Sequence, residues 1–168
     1  SYGTTKLYEA MLSDLSQEGL NHATIWCLGE YGNQVTVEGK GQDELESDIV
    51  ALLKKCLFMH NATDLTRSFT LSAALKLTAR FQSASALEEL ANIVGTYSHS
   101  MNTELQARSC EYANLLKPEM AAARPNALKP MPVPERSEAS QRRSRLESVE
   151  SGASPKAATA GDSGGSGG

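Results

Sequence analysis

Residues 23–33 read Ala-Thr-Ile-Trp-Cys-Leu-Gly-Glu-Tyr-Gly-Asn and hold the chain's single tryptophan, Trp26. Small residues at Ala23, Cys27 and Gly29 let a second helix approach closely, and Gly32-Asn33 reads as a helix stop. A helix with apolar residues on nearly every side belongs inside a structure. The stretch therefore predicts helices packed on both sides of it. It carries architecture and no chemistry.

Further helices appear on either side at short intervals. Thr4 or Thr5 can cap a first helix to about Leu15, with Leu7, Met11, Leu12 and Leu15 on one face. Gln17-Glu18-Gly19 breaks it, and the opening stretch forms the second helix, about 21–31. Residues 32–41 (GNQVTVEGKG) contain Gly32, Gly39 and Gly41 and read as a loop pinned to the core by Val35 and Val37. An alternating strand is the other reading, but the sequence offers it no partner.

A third helix, about 43–59, places Leu45, Ile49, Leu52, Leu53, Cys56 and Leu57 at three-and-four spacing, with acids in its first turns where the dipole favours them. Thr63 caps a fourth helix, to about Phe81, with Phe69, Ala73, Leu77 and Phe81 in one line. A fifth, about 84–98, buries Leu87, Leu90, Ala91, Val94 and Tyr97. A sixth, about 102–117, buries Leu105, Cys110, Tyr112 and Leu116. Pro118 then ends the folded region, because proline disfavours helix in the residue before it. Six helices with short connections make three antiparallel hairpins. The expected fold is all-α: an α-solenoid of HEAT/armadillo-like hairpins, each covering the apolar face of the next. A compact six-helix bundle is the alternative.

Composition divides the 168 residues in the same place. Residues 1–117 hold every Phe, Tyr and Trp; in 118–168, Gly, Ser, Ala and Pro fill 29 of 51 positions. Such a segment lacks the apolar surface to offset the entropy of ordering it, so 118–168 is expected to be a disordered tail. The first part carries 9 basic and 14 acidic residues and the tail 7 and 6, so there is no basic face of the kind that engages nucleic acid. No apolar run approaches the roughly 18 residues of a bilayer span. The three cysteines, Cys27, Cys56 and Cys110, are odd in number, far apart and set among apolar residues. They read as reduced core residues of an intracellular protein. The opening Ser, with helix starting almost at once, reads as a piece of a longer polypeptide.

An enzyme needs a constellation, and the candidates are thin. His22, His60 and His99 fall near expected helix ends, with no carboxylate or Cys at a ligand spacing. Cys27 precedes Glu30 by three residues, but a nucleophilic Cys needs a base in an exposed electropositive setting. The glycines of 29–41 match no phosphate-binding pattern. Catalytic, cofactor and metal sites are therefore all read as none.

Glu30 alone asks for a reason. It lies in the last turn of its helix, where the dipole disfavours an acid by about 0.3–1 kcal/mol. A cation from the next hairpin is expected beside it. The second helices of adjacent repeats run parallel and align their ends, so Arg80 is the first choice and Arg67 the second. In the tail, Arg142-Arg143-Ser144-Arg145 reads as solvated linker, with a kinase target or a lipid-headgroup contact as the other readings.

Three segments carry a family resemblance. "IWCLGEYGN" (25–33) resembles the W-C-x-G-E-Y-G signature in the helical trunk of large clathrin-adaptor subunits, the adaptins. "TRSFTLSAALKLTARF" (66–81) and "ELQARSCEY" (104–112) resemble segments of the gamma-adaptin branch. The landmarks are Trp26, Gly29, Glu30, Tyr31, Arg67, Arg80, Glu111 and Tyr112. The resemblance implies the C-terminal part of an adaptin trunk over 1–117 and the start of a flexible hinge over 118–168. It implies a heterotetramer with beta, mu and sigma subunits, recruited by the Arf GTPase and phosphoinositide lipid, cytoplasmic and peripheral on Golgi and clathrin-coated vesicle membranes. Its role would be that of a structural scaffold in transport between the trans-Golgi network and endosomes, not that of an enzyme. No clathrin-box pattern occurs in 118–168, so clathrin and Arf belong to the full-length complex and not to this stretch. The closing GDSGGSGG reads as linker, truncation or cloning scar. The competing readings are a helical-repeat scaffold of another vesicle coat, and a small helical regulator or enzyme with an unrecognised site.

Overall fold

The computed structural model describes residues 2–131. The expected disorder of the tail past Met131, its basic cluster 142–145 and its Gly/Ser ending lie outside the described residues. Six main helices follow one another: α1 (Tyr2–Ser13), α2 (Glu18–Tyr31), α3 (Gln42–Phe58), α4 (Asp64–Leu77), α5 (Ala84–Gly95) and α6 (Thr103–Leu115); a short α7 (Arg124–Ala127) comes last. No strand occurs among the described residues, and 32–41 is a loop in which Val35 is buried and Val37 packs on the core.

Consecutive helices pair antiparallel. In the third hairpin the partners run in opposite directions, Ser109 Oγ donating to Val94 O and Gln106 Nε2 to Ser98 O. Alternate helices run parallel instead. Between α2 and α4, His22 meets Thr66 and Glu30 meets Lys76, at separations of 44 and 46 residues. Between α3 and α5, Lys54 pairs with Glu89 and Glu46 with Ser83, at separations of 35 and 37. Three hairpins thus stack in register as an α-solenoid, with α1, α3 and α5 in one layer and α2, α4 and α6 in the other.

The core is continuous from Tyr8 and Met11 through Ile25, Leu28, Ile49, Leu53, Leu57, Leu71 and Leu77 to Leu90, Ile93 and Leu105. Burying each such side chain contributes about 1.5–3 kcal/mol before entropy is counted. Thr63 caps α4, its Oγ1 accepting from Thr66 N at 3.2 Å and donating to Glu18 Oε1 at 2.7 Å. One hydroxyl therefore both starts a helix and ties it to the preceding hairpin.

Several expectations are corrected. Trp26 is not interior: it is 36% exposed, on the side of α2 turned away from the core. In α1 the buried line is Thr4, Thr5, Tyr8 and Met11, so Met11 is covered and Leu7 half-buried, whereas Tyr2 and Leu12 are exposed. Tyr8 occupies the core phase that a reading in aliphatic residues alone assigns to Leu12. Cys110 is exposed, because the buried α6 positions are Leu105 and Ser109. Gly32 does stop α2, as expected: the helix ends at Tyr31 with Gly32 as its cap. Its φ is −59°, and it opens a 3-10 turn, Gly32–Gln34.

Nor does the folded unit end at Lys117. Residues 1–131 form one compact unit. After α6 the chain makes a 3-10 turn, Pro118–Met120, and then α7. Arg124 reaches back to cap α6, with Nε 3.1 Å from Leu115 O and Nη2 2.7 Å from Leu116 O and 3.0 Å from Lys117 O. Leu128 is buried in the core. One cation satisfying orphan carbonyls and one leucine suffice to order a segment without aromatic residues.

Candidate functional site

The most unusual chemistry in the fold lies where α2 meets α4. Close approach comes first. A Cβ on Gly29 would fall 2.9 Å from Ala73 Cα, and one on Gly32 would fall 2.8 Å from Leu77 Cδ2. With no side chain at either position, the C-terminal halves of the two parallel helices touch almost backbone to backbone.

That contact encloses Glu30, whose side chain is fully buried. Its Oε1 pairs with Lys76 Nζ, and its Oε2 lies 3.1 Å from Arg80 Nη2. Oε2 also accepts from Met131 N at 3.3 Å, and Arg80 Nη1 donates to Lys76 O at 2.8 Å. Burial alone raises the Glu30 carboxyl pKa, but the Lys76 hydrogen bond and charge, the Met131 amide and Arg80 outweigh it and hold the group below the usual carboxylate range. Burial lowers the Arg80 pKa, and the charge of Glu30 opposes that. The two cations also sit in and just past the last turn of α4, where exposed carbonyls favour them. An acid misplaced by its own helix dipole is thus held by cations well placed on the next.

Glu30 and Arg80 are brought together. Arg67 is not: its Nη1 bonds Asp64 Oδ1 at 2.9 Å, one turn back on the same helix. Tyr31 borders a cavity of about 710 Å³ shared with Asn33, Gln34, Thr78, Arg80 and residues of the α7 segment. Tyr112 joins α6 to α4 through a 3.0 Å hydrogen bond from its hydroxyl to Ser72 Oγ. Glu111 is exposed on α6, beside Arg108. His22 stacks on Phe69, ring centroids 5.1 Å apart, and is 2.9 Å from Thr66 Oγ1.

Two participants escape the sequence reading. Lys76 stands in a quoted segment, and its signal was the Lys76/Arg80 pair at i, i+4 in a last helical turn. Glu46 looks like one more acid favouring the start of α3, yet it is only 1% exposed. Its Oε2 accepts from Gln82 N at 3.0 Å and Ser83 N at 2.9 Å, and Gln42 Nε2 lies 3.4 Å from its Oε1. Ser83 makes no side-chain cap of its own, so Glu46 caps α5 from the preceding hairpin. Each joint between hairpins therefore holds one buried glutamate. Every oxygen of these carboxylates is engaged by a cation, an amide or a side-chain donor, an arrangement suited to fixing register. Among the described residues no group of His, Cys, Asp and Glu could hold a metal ion.

Comparison with known proteins agrees with this architecture. Residues 1–120 match the family described as the adaptin N terminal region. The chain is 34% identical over 124 residues to the AP-1 complex subunit gamma of Dictyostelium discoideum, covering 68% of this chain and 14% of that one. It is 33% identical over 141 residues to AP-1 complex subunit gamma-1 of Mycosarcoma maydis, covering 80% and 16%. A third relative, AP-1 complex subunit gamma-1 of Arabidopsis thaliana, is 34% identical over 122 residues, covering 68% and 14%. The chain thus spans about one seventh of the length of the curated relatives it matches. An all-α stack of hairpins, tied at each joint by a buried glutamate and matched along nearly its whole described length, places the chain in the adaptin N-terminal region family.

Proposed function

We propose that this chain is a scaffold segment of the large gamma-type subunit of a clathrin adaptor complex, acting in vesicle traffic between the trans-Golgi network and endosomes. The family match over residues 1–120, with gamma subunits of AP-1 complexes from slime mould, fungus and plant as relatives, carries the reading. Those relatives also favour it over a scaffold of another coat. The segment works by shape and not by catalysis: its buried carboxylates fix the stacking of hairpins and present no free acid or base to a substrate. Its partners are the beta, mu and sigma subunits of the tetramer, while Arf and clathrin engage other parts of the full-length protein. Location is peripheral, on Golgi- and endosome-associated coated vesicles. No described helix is long and apolar enough to cross a membrane.

The C-terminal end of the trunk is the position that fits. The outer side of α6 carries polar and small residues, Ala107, Cys110, Glu111 and Asn114, as a terminal repeat does. The first hairpin instead leaves Tyr2, Leu12 and Trp26 exposed, a surface suited to further helices. Purification of a tagged full-length protein from its own cells tests the function. Recovery of a beta-type, a medium and a small subunit in equal amounts supports it, and recovery without them overturns it.

A further inference from the structure

Residues 118–131 return across the C-terminal ends of α6, α4 and α2 in that order, and three attachments hold them. Arg124 binds the last carbonyls of α6. Leu128 is the one buried residue of the segment. Met131 N–H reaches Glu30 Oε2 at 3.3 Å. Between Leu128 and the helix ends the contact is loose, for the cavity of about 710 Å³ lies there, lined by Tyr31, Asn33, Gln34 and Thr78. A segment with one apolar anchor beside an open cavity opens more readily than the helices beneath it.

The last attachment falls on the group that joins the first two hairpins, since Glu30 Oε2 serves both Met131 and Arg80. We propose that residues 118–131 are a releasable strap whose seating is coupled, through Glu30, to the joint between α2 and α4. Seated, the strap excludes water from the Glu30–Arg80 pair and supplies one of its hydrogen bonds, and a pair held away from water is electrostatically stronger. Released, it hydrates the carboxylate and loosens the end of α4. Coupling of this kind is reciprocal, so weakening the joint also unseats the strap. Whatever draws the strap away thereby softens the stack two helices from the point of pull.

Amide hydrogen exchange on the full chain tests this, comparing wild type with Leu128→Ser and with Glu30→Gln. The strap reporters are Ala127 N–H and Leu128 N–H, bonded to Ala123 O and Arg124 O; the joint reporters are Arg80 N–H and Phe81 N–H, both bonded to Leu77 O. Leu128→Ser should speed exchange about 10-fold or more at the strap and also raise it several-fold at Arg80 and Phe81. Glu30→Gln should speed both sets. Leu128 is the strap's single contribution to the core, so Leu128→Ser leaves the packing among α1–α6 in place and the test stands even where Glu30→Gln fails to fold. Faster exchange confined to the strap, or a wild-type strap exchanging at the rate of unprotected chain, overturns the proposal.

Discussion

Gly29→Ala is the sharpest perturbation the packing suggests, because two effects of known sign oppose each other there. In a free helix the change stabilises by about 1 kcal/mol, since alanine outranks glycine in helix propensity. In this fold the new methyl falls 2.9 Å from Ala73 Cα and 3.1 Å from Ala73 Cβ. Carbon atoms rest comfortably at about 3.5–4 Å, so α2 and α4 must part locally by roughly 0.5–1 Å. The nearest atom is backbone, so no side chain can rotate out of the way. Parting the helices there also lengthens the Glu30–Arg80 contact, at 3.1 Å the next feature along the joint. Overpacking costs about 1–3 kcal/mol, and with unyielding backbone as the nearest neighbour the upper part of that range, about 2–3 kcal/mol, applies. Subtracting propensity leaves a net loss of about 1–2 kcal/mol. For a unit of this size that is roughly 3–8 °C in Tm. The assay is urea unfolding followed by far-ultraviolet circular dichroism, beside Gly19→Ala as control. Gly19 lies on the same helix with nothing within 4 Å of an added Cβ, so its substitution should be neutral or mildly stabilising. Ala73→Gly costs about 1 kcal/mol of propensity by itself, so the pair is read as a coupling: the Gly29→Ala loss should be smaller in the Ala73→Gly background, where the 3.1 Å contact is gone and the 2.9 Å one remains. A Gly29→Ala protein as stable as wild type would refute the close-approach argument.

The charged joints and the cysteines give further expectations. Glu30→Gln should cost about 2–3 kcal/mol at neutral pH, by leaving Arg80 buried without a counter-charge. Because the folded-state pKa of Glu30 is depressed, its contribution is present above the ordinary carboxylate range and is lost as pH falls through the folded value. The stability gap between wild type and Glu30→Gln should therefore be steady above about pH 5 and narrow below about pH 4; a gap that widens on acidification contradicts the assignment. Glu46→Ala strips the Gln82 and Ser83 amides of their acceptor and should cost about 1–3 kcal/mol, with exchange rising first at Gln82 and Ser83. Thiol titration of the native protein should show Cys110 reacting fast, being exposed, and Cys27 slowly, because burial raises its pKa. Cys56 should react only on unfolding, since burial pushes its thiol up to about 11.

The sequence made the helices legible because their apolar residues recur at three and four, and short polar connections left antiparallel pairing as the simple solution. Arg80 was legible for a different reason: an acid at a helix C-terminus demands compensation, and parallel helices bring their ends together. What escaped is what local pattern cannot carry. Trp26 looked interior by residue type, but its helical phase turns it outward, and only the packed neighbours fix that phase. Glu46 was hidden among Asp43 and Glu44, since nothing local separates an acid facing water from one facing two amides in the next hairpin. The strap was missed because composition averages over a segment, and two residues, Arg124 and Leu128, were enough to order it.

These residues form one stretch of an adaptin N-terminal region, held in register by Glu30 and Glu46. The most direct measurement replaces the matching stretch of the Dictyostelium discoideum gamma subunit, 34% identical over 124 residues, with residues 2–131 of this chain. Folding of the chimera is checked by thermal melting, and its partners are read after purification from cells. A folded chimera should recover the other subunits of the complex in equal amounts, with recovery falling when Glu30→Ala and Glu46→Ala are combined. A chimera that folds and yet is excluded from the complex would contradict this reading.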